Sequence, residues 1–150
     1  MRFVVTGAAS GIGAAVAAAL VNEGHVCIAV DRVAPRQSME FVPCDLSDEN
    51  AVARCAEAIR GPLDGIASVA GLPGTHPGDL VMKVNYLGCR WLIEALLPKV
   101  RDGGSVVPVT TIATRHCDWD KSKLRSILAL KDWAVVLAAT DAVAAGGLAA

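Results

Sequence analysis

The residues most suggestive of chemistry form the octapeptide Thr-Gly-Ala-Ala-Ser-Gly-Ile-Gly at 6–13. An apolar run precedes it and an Ala-rich segment follows, which predicts a strand, a glycine turn and a helix. Gly7 permits a tight turn, Gly11 lets the backbone approach a pyrophosphate, and Gly13 lets the helix pack on its strand. Free N–H groups at the helix start attract anions. We therefore expect a pyrophosphate against Ser10-Gly11-Ile12, the alternative being a Gly/Ala turn without a ligand.

A charged pair follows at a distance typical of nucleotide binding. Residues 26–30 form an apolar run, a second buried strand, which ends at Asp31 about 20 residues after the glycine turn. An acid at this position accepts hydrogen bonds from the adenosine ribose, and its charge repels the 2′-phosphate of NADP. Asp31 therefore predicts NAD. Arg32 beside it is able to accommodate that phosphate, so NADP is the second choice.

These residues require strands and helices that alternate, and the pattern continues along the whole chain. Hydrophobic residues make up 53% of the sequence, a bias typical of parallel sheets that are covered on both faces. We predict one α/β domain over residues 1–150, a Rossmann-type, doubly wound parallel sheet. The predicted strand order is 3-2-1-4-5, with helices on both faces.

Composition excludes several classes of function. A net charge of −1 gives no electrostatic case for nucleic acid or an anionic membrane surface. The five cysteines are scattered without C-x-x-C spacing, which predicts no metal site, reduced thiols and a cytoplasmic protein. The apolar stretch Trp133–Ala150 contains Asp141 and Gly146-Gly147, which argue against a membrane span, kept as the minor alternative.

The glycine spacing resembles the T-G-x-x-x-G-I-G signature of the short-chain dehydrogenase/reductase family. Asp45 and Leu46, after the third strand, resemble the pair that holds the adenine ring in that family. Ala70-Gly71 keeps the end of the family's Asn-Asn-Ala-Gly, although both asparagines are absent. The resemblance implies cofactor contacts at Asp45, Leu46, Ala70 and Gly71. For Asp45, a loop-ending cap is the alternative.

Two further matches concern the reaction. Residues 84–88 resemble the family's N-x-x-G segment, whose asparagine, here Asn85, orders a water in the proton relay. Thr111 stands where the family's G-S-I-V-x-I-S-S ends in the serine that polarises the substrate carbonyl. The alternative for Asn85 is a hydrogen bond to a neighbouring helix. Pro108 lies within the predicted fifth strand, so we expect a bulge or frayed pairing there.

The family's Tyr-x-x-x-Lys pair does not follow Thr111. Residues 112–124 contain no tyrosine, and Tyr86 with Arg90 lies upstream in another helix. The chain resembles the bacterial 3α-hydroxysteroid dehydrogenase/carbonyl reductase branch, which carries a helical insertion here. Residues 1–115 match well, and 116–150 are interpreted as inserted helices (121–130 and 132–145) or a truncated end. The pair would then be expected just beyond residue 148.

The resemblance implies an NAD(H)-dependent oxidoreductase that interconverts a secondary alcohol and a ketone, with a small-molecule carbonyl or alcohol substrate. A non-catalytic dinucleotide-binding module, or a cofactor-binding fragment without the Tyr/Lys pair, is the alternative. A relative of the sugar-nucleotide epimerases is a weaker one. The fifth strand needs cover from the last helices, another chain or further residues, and we expect a homo-oligomer.

Overall fold

The computed structural model describes residues 1–111 and 120–146. Its centre is a five-stranded parallel sheet with the order β3-β2-β1-β4-β5, which confirms the predicted order. The strands are β1 (Arg2–Thr6), β2 (Val26–Asp31), β3 (Glu40–Pro43), β4 (Leu63–Ser68) and β5 (Val100–Pro108). The strand order reverses between β1 and β4, and in such sheets ligands bind at that point, outside the carboxyl ends of the strands.

Helices cover both faces of the sheet. They are α1 (Gly11–Asn22), α2 (Glu49–Ala58), α3 (Gly78–Met82), a π-helical turn (Lys83–Gly88), α4 (Cys89–Leu96), a 3₁₀ turn (Leu97–Lys99), α5 (Lys121–Ala129) and α6 (Trp133–Gly146). Ala17 of α1 packs in one buried cluster with Val5 and Ala29 of the sheet. A larger cluster on the opposite face joins the sheet to α2, α4 and α6.

The fifth strand corrects one prediction. Its pairing with β4 is irregular at the start, opposite Leu63 and Gly65, where Gly103 has a φ of +79°. Pro108, by contrast, pairs in register with Ser68, and the next residue's N–H donates to the Ser68 carbonyl at 2.8 Å. The backbone N–H groups of successive residues point to opposite edges of a strand. Because the Val109 N–H points toward β4, the Pro108 nitrogen faces the open edge, and its missing N–H removes no hydrogen bond between the strands. The bulge expected at Pro108 therefore lies at the other end of the strand.

The predicted long helix from residue 80 to about 100 is present, but it is not uniformly α-helical. A π-helical turn over Lys83–Gly88 separates α3 from α4. Such turns are frequent at functional sites, since they change which side of the helix each following residue faces. Here the turn contains Asn85, which contacts the loop after β4 at Leu72, and ends at Gly88, which lies against Leu46 in the loop after β3.

The last two helices lie where the sequence predicts them. Asp120 caps α5 by accepting hydrogen bonds from the Ser122 and Lys123 N–H groups. Trp133 of α6 meets Trp91 of α4 edge to face, with ring centroids 5.6 Å apart. α6 is thus part of the core on that face of the sheet, whereas α5 has no buried residue and packs against the core through the half-buried Ile127. No helix within the described residues combines the length and the apolar character that a membrane crossing needs.

Candidate functional site

A cavity of about 260 Å³ opens at the carboxyl ends of the strands. The glycine turn, the ends of β2, β3 and β4, and the segment that leads into the π-helical turn all contribute to it. Its lining residues are Gly7, Ser10, Val30, Asp31, Arg32, Cys44, Asp45, Leu46, Ala70, Gly71, Leu72, His76, Leu80 and Val84. Eight of the eleven residues predicted to bind the cofactor therefore line one cavity, and the other three, residues 11–13, begin α1 beside it.

The glycine turn is held by close backbone contacts. Gly7 has a φ of +71°, and a Cβ there would lie 2.9 Å from the Ala70 Cα. A Cβ on Gly13 would lie 2.6 Å from the Gly7 carbonyl carbon. Real Cβ atoms do not approach backbone so closely, so both positions require glycine. The turn can therefore approach the end of β4 while α1 starts directly beneath it.

The amino terminus of α1 is left open for an anion. Ser10 occupies the N-cap position with extended backbone, but its side chain makes no capping hydrogen bond. The first N–H groups of a helix have no intrahelical acceptor, and here no cap side chain supplies one. Ile12 beside them is 64% exposed. The residues present thus fit a pyrophosphate, which would accept hydrogen bonds from these donors.

Asp31 has a second role that the sequence did not reveal. Its Oδ2 accepts a hydrogen bond from the Ala9 N–H at 3.0 Å, and its Oδ1 accepts one from the Val33 N–H at 3.3 Å. The carboxylate therefore braces the glycine turn from the end of β2. It also lines the cavity together with Arg32, so the cavity wall carries an anionic and a cationic side chain.

Asp45 and Leu46, which follow β3, line the same cavity. Asp45 Oδ1 accepts hydrogen bonds from the Ser47 N–H at 2.9 Å and the Ser47 hydroxyl at 2.7 Å. Partial burial alone would raise the pKa of Asp45, but these bonds and the charge of Arg32 outweigh it and lower that pKa. Asp45 is thus an ionised loop residue, and the cap of α2 is Asp48, which accepts from the Asn50 N–H.

Asn85 clamps the loop after β4. Its Oδ1 accepts from the Leu72 N–H at 2.7 Å, and its Nδ2 donates to the Leu72 carbonyl at 2.8 Å. The partner is thus a loop backbone rather than the neighbouring helix that the sequence suggested as the alternative. Thr111 lies three residues beyond β5 and is exposed, and neither Thr111 nor Asn85 is among the residues that line the cavity.

Tyr86 belongs to a different cluster. Its hydroxyl accepts a hydrogen bond from Arg90 Nη1 at 3.0 Å, and the guanidinium stacks 4.9 Å from the Trp91 ring centroid. The ion pair with Glu94, at 2.8 Å, is the chief reason that the pKa of Arg90 is raised. Tyr86 does not line the cavity. Residues 112–119, where the sequence has no tyrosine, lie outside the described residues.

Sequence reasoning missed the role of Thr6 and six of the fourteen residues that line the cavity, namely Val30, Cys44, Leu72, His76, Leu80 and Val84. Thr6 is 1% exposed, and its hydroxyl oxygen accepts from the Val69 N–H at 2.9 Å and the Ala70 N–H at 3.0 Å. A polar residue at the end of an apolar strand was the available signal. His76, Leu80 and Val84 line the cavity without such a signal, because their positions depend on the path of a loop and a π-helical turn. No cluster of three or more metal-ligating side chains occurs within residues 1–111 and 120–146.

Curated proteins with similar sequences include dehydrogenases. Coniferyl-alcohol dehydrogenase from Pseudomonas sp. strain HR199 is 40% identical over 112 residues, which cover 74% of this chain and 44% of that protein. The 3-alpha-hydroxysteroid dehydrogenase/carbonyl reductase of Comamonas testosteroni is 31% identical over 129 residues, which cover 81% of this chain and 48% of that protein. The chain therefore spans about half the length of the curated relatives it matches.

Solved structures share the fold. The 3-alpha-hydroxysteroid dehydrogenase from Pseudomonas sp. B-0831, complexed with NADH, is 27% identical with a TM-score of 0.74, covering 94% of this chain and 56% of that one. An alcohol dehydrogenase from Thermococcus sibiricus, complexed with 5-hydroxy-NADP, is 20% identical with a TM-score of 0.67. The match covers 77% of this chain and 60% of that chain. These neighbours confirm the predicted sheet and its helices.

The sequence model described as short chain dehydrogenase matches residues 2–118, which include the glycine turn, all five strands and the residues of the cavity. The match to the Comamonas enzyme also confirms the predicted resemblance to the hydroxysteroid dehydrogenase/carbonyl reductase branch. Family model, relatives and fold agree with the site built from the residues: the chain belongs to the short-chain dehydrogenase family.

Proposed function

We propose that this protein is an NAD(H)-dependent oxidoreductase that interconverts a secondary alcohol and a ketone. The supporting observation is that the uncapped start of α1 and the carboxylate of Asp31 meet at one cavity of about 260 Å³. Ser10, Gly11 and Ile12 would hold the pyrophosphate, and Asp31 would accept from the adenosine ribose hydroxyls. When bound, the nicotinamide supplies the hydride that is exchanged with the substrate.

The other predicted residues complete this assignment. Asp45, Leu46, Ala70 and Gly71 line the cavity and would enclose the adenine, and Gly13 lets α1 begin close to its strand. Asn85 holds the loop over the cavity, and the Thr111 hydroxyl is a hydrogen-bond donor for a substrate carbonyl. Tyr86, the single tyrosine of the sequence, is bound to Arg90 and does not line the cavity, so it is not the proton donor of this reaction.

NAD is proposed over NADP because of charge. A carboxylate at the ribose favours a free diol and repels a 2′-phosphate, whereas Arg32 favours the phosphate. Among the neighbours, one structure is complexed with NADH and another with 5-hydroxy-NADP.

The relatives' names, coniferyl-alcohol dehydrogenase and carbonyl reductase, support a small alcohol or carbonyl substrate. Cys27, Cys44, Cys55 and Cys89 are free thiols, which supports a cytoplasmic protein.

A non-catalytic dinucleotide-binding module is the second candidate, because no Tyr-x-x-x-Lys occurs in the 150 residues. General acid catalysis contributes about 10²–10⁴-fold, so a chain without the donor would bind but turn over slowly. Single-turnover oxidation of NADH with a panel of ketones separates the candidates. Turnover at rates typical of an enzyme supports the oxidoreductase, and binding without turnover supports the module.

The cofactor site is tested with Gly13→Val. A side chain there meets the Gly7 backbone, so α1 must move away from the strand and the pyrophosphate loses its donors. We expect NADH affinity, measured by fluorescence titration, to fall by at least about tenfold. Gly78→Ala is the matched control, because nothing lies within 4 Å of a Cβ at that position. Equal NADH affinity in the Gly13 variant would contradict the proposed site.

Cofactor choice is tested with Asp31→Asn. The amide keeps an oxygen for the Ala9 N–H, so the turn stays braced while the negative charge is removed. NAD affinity should fall by about 1–3 kcal/mol, and NADP affinity should rise because a repulsion is removed. Arg32→Ala is the companion variant and should weaken only NADP. A wild-type preference for NADP in a competition titration would overturn the assignment to NAD.

A further inference from the structure

Another cavity, of about 490 Å³, opens where β4 and β5 begin. It lies between the loop that joins α2 to β4 and the 3₁₀ turn that precedes β5. The residues that line this amino-end cavity are Ile59, Arg60, Gly61, Pro62, Pro98, Lys99, Val100 and Arg101. The cofactor cavity lies at the carboxyl ends of the same parallel strands, so the length of β4 separates the two cavities. They share no lining residue.

The amino-end cavity has a positive wall. Of the eight described residues that line it, three are cationic and none is acidic. Arg60 and Arg101 are exposed, and Lys99 is half-buried between them. The whole chain has a net charge of −1, so this wall is a local excess of positive charge. Charges of one sign around a cavity attract small ions of the opposite sign, so the amino-end cavity is suited to an anion.

Two of the three cations are held in place by the protein. Lys99 Nζ donates to the carbonyls of Ala56 and Ile59 at 2.6 and 2.8 Å. An ammonium group has three N–H donors, so one donor remains for a ligand. Arg101 Nε pairs with Asp64 Oδ1 at 3.1 Å, which leaves the terminal N–H groups of the guanidinium for a ligand. Both cations therefore have fixed positions and unused donors.

Arg60 is the cation whose charge no carboxylate neutralises. Within residues 1–111 and 120–146 its side chain makes no hydrogen bond or ion pair. Its backbone is fixed, because its carbonyl accepts a hydrogen bond from the Arg2 guanidinium. Arg2 lies just behind the loop, where its Nη1 would be 3.6 Å from a Cβ on Gly61, but Glu40 pairs with it at 3.1 Å. The unpaired charge at this end of the sheet therefore belongs to Arg60.

The remainder of the wall is apolar. Pro62 and Pro98 are exposed and Val100 is half-buried, and all three line the cavity. Proline rings are rigid, so they offer apolar surface without losing side-chain freedom when a ligand binds. An inorganic ion would leave this surface in water, whereas an organic anion would cover it. The guanidinium groups of Arg60 and Arg101 match the oxygens of a phosphate in geometry and charge.

We propose that the amino-end cavity binds a small organic phosphate. The phosphoryl group lies among Arg60, Lys99 and Arg101, and the apolar body of the ligand lies against Pro62 and Pro98. A phosphate monoester carries a charge of about −1.5 to −2 near pH 7 and has three acceptor oxygens, which suits three cations. A carboxylate offers one charge and two oxygens. The proposal does not depend on the proposed function, because the two cavities are separate.

Phenyl phosphate is the probe for this site. Titration of the ¹⁵N-labelled protein should move the amide resonances of residues 59–61 and 99–101, and any movement at residues 7–13 reports the dinucleotide site separately. We expect Arg60→Gln to weaken binding at the first set by about tenfold, the scale of one charge-assisted hydrogen bond. The melting temperature should stay unchanged, since the Arg60 side chain has no partner to lose. Arg125→Gln is the matched control, because Arg125 is an exposed arginine of α5 that lines neither cavity.

Two further probes test the class of ligand. Inorganic phosphate lacks an apolar body, so it should bind at least about threefold more weakly than phenyl phosphate. Benzoate keeps the ring but carries a smaller charge, and it should also bind more weakly. No movement of residues 59–61 and 99–101, or an equal loss of affinity in Arg125→Gln, would overturn the site. Equal affinity for inorganic phosphate would overturn the organic ligand, and equal affinity for benzoate would overturn the phosphate.

Discussion

At the scale of single residues, the hydrogen bonds of Asn85 explain how an exposed loop keeps a fixed position over the cavity. The amide uses one donor and one acceptor on the same residue, Leu72, at 2.8 and 2.7 Å. The loop that starts there continues to His76, which lines the cavity. The cavity wall on this side therefore depends on one side chain from the π-helical turn.

Replacing Asn85 tests this dependence. In Asn85→Ala both bonds to Leu72 are lost, and we expect the free energy of unfolding to fall by about 1–2 kcal/mol. Amide hydrogen exchange over residues 72–76 should become faster, which a purely global effect would not produce selectively. Asn50→Ala is the control, because Asn50 is an exposed asparagine whose backbone, not its side chain, makes the capping bond in α2. Unchanged exchange in the loop would contradict the clamp.

The residues that were predictable from the sequence have strict local requirements. Gly7 and Gly13 are fixed by backbone contacts, and Asp31 is fixed by the length of one strand-helix-strand unit. Leu80 and Val84 could not be predicted as cavity residues, because the side of the helix that faces the cavity is set for Leu80 by the path of the loop before α3 and for Val84 by the π-helical turn that contains it. The hydrogen bond from the Ala9 N–H to the Asp31 carboxylate was also not predicted, because the distance in sequence between the glycine turn and Asp31 predicts only a contact with a ligand.

At the scale of elements, the helix after the π-helical turn packs unusually close to a loop. A Cβ on Gly88 would lie 2.7 Å from the Leu46 Cβ and still closer to the Leu46 carbonyl oxygen. Leu46 is itself a wall of the cavity. The start of α4 therefore supports this wall of the cavity from behind.

Gly88→Ala should disturb that support. The added methyl group overlaps the Leu46 backbone, and overpacking of this kind costs about 1–3 kcal/mol. We expect a lower melting temperature and weaker NADH binding, the second because Leu46 is displaced. The melting temperature is measured by calorimetry, with Gly78→Ala as the glycine control in open space. A stable variant with normal NADH affinity would show that the loop adapts without moving the cavity wall.

Periodicity predicted most elements but not their irregularities. α2, α5 and α6 have clear caps or apolar spacing, and their bounds agree with the prediction to within a few residues. β5 begins three residues before the predicted turn at Gly103, because the chain pairs with β4 on both sides of an irregular glycine segment. Such a segment depends on the neighbouring strand, so no local pattern in the sequence predicts it.

At the scale of the whole molecule, β5 leaves the sheet open. Within residues 1–111 and 120–146 no strand pairs with its outer edge. Val107 is in register with Ala67 and Val5, on the face that α1 covers over β1 and β2, yet it is 56% exposed. An exposed edge with apolar residues is a place where chains associate. We propose that a homo-oligomer covers it.

Val107→Lys tests this proposal. A charge on the apolar face opposes its burial in an interface, so we expect the variant to shift toward the monomer. Sedimentation equilibrium at micromolar concentration measures the shift. Val135→Lys is the matched control, because Val135 is 50% exposed but lies on α6, away from the strand edge. A monomeric wild type, or equal shifts in both variants, would contradict an interface at β5.

The cavity walls come from five stretches of the chain that are far apart in sequence, from the glycine turn at 7–10 to the π-helical turn at 84. A molecule that fills the cavity binds only when all five are folded together. By mass action, such a ligand present at 100 times its dissociation constant adds about 2.7 kcal/mol to the folding free energy. In a cell the concentration of that ligand would therefore set how often the sheet unfolds and, with it, how quickly proteases remove the protein.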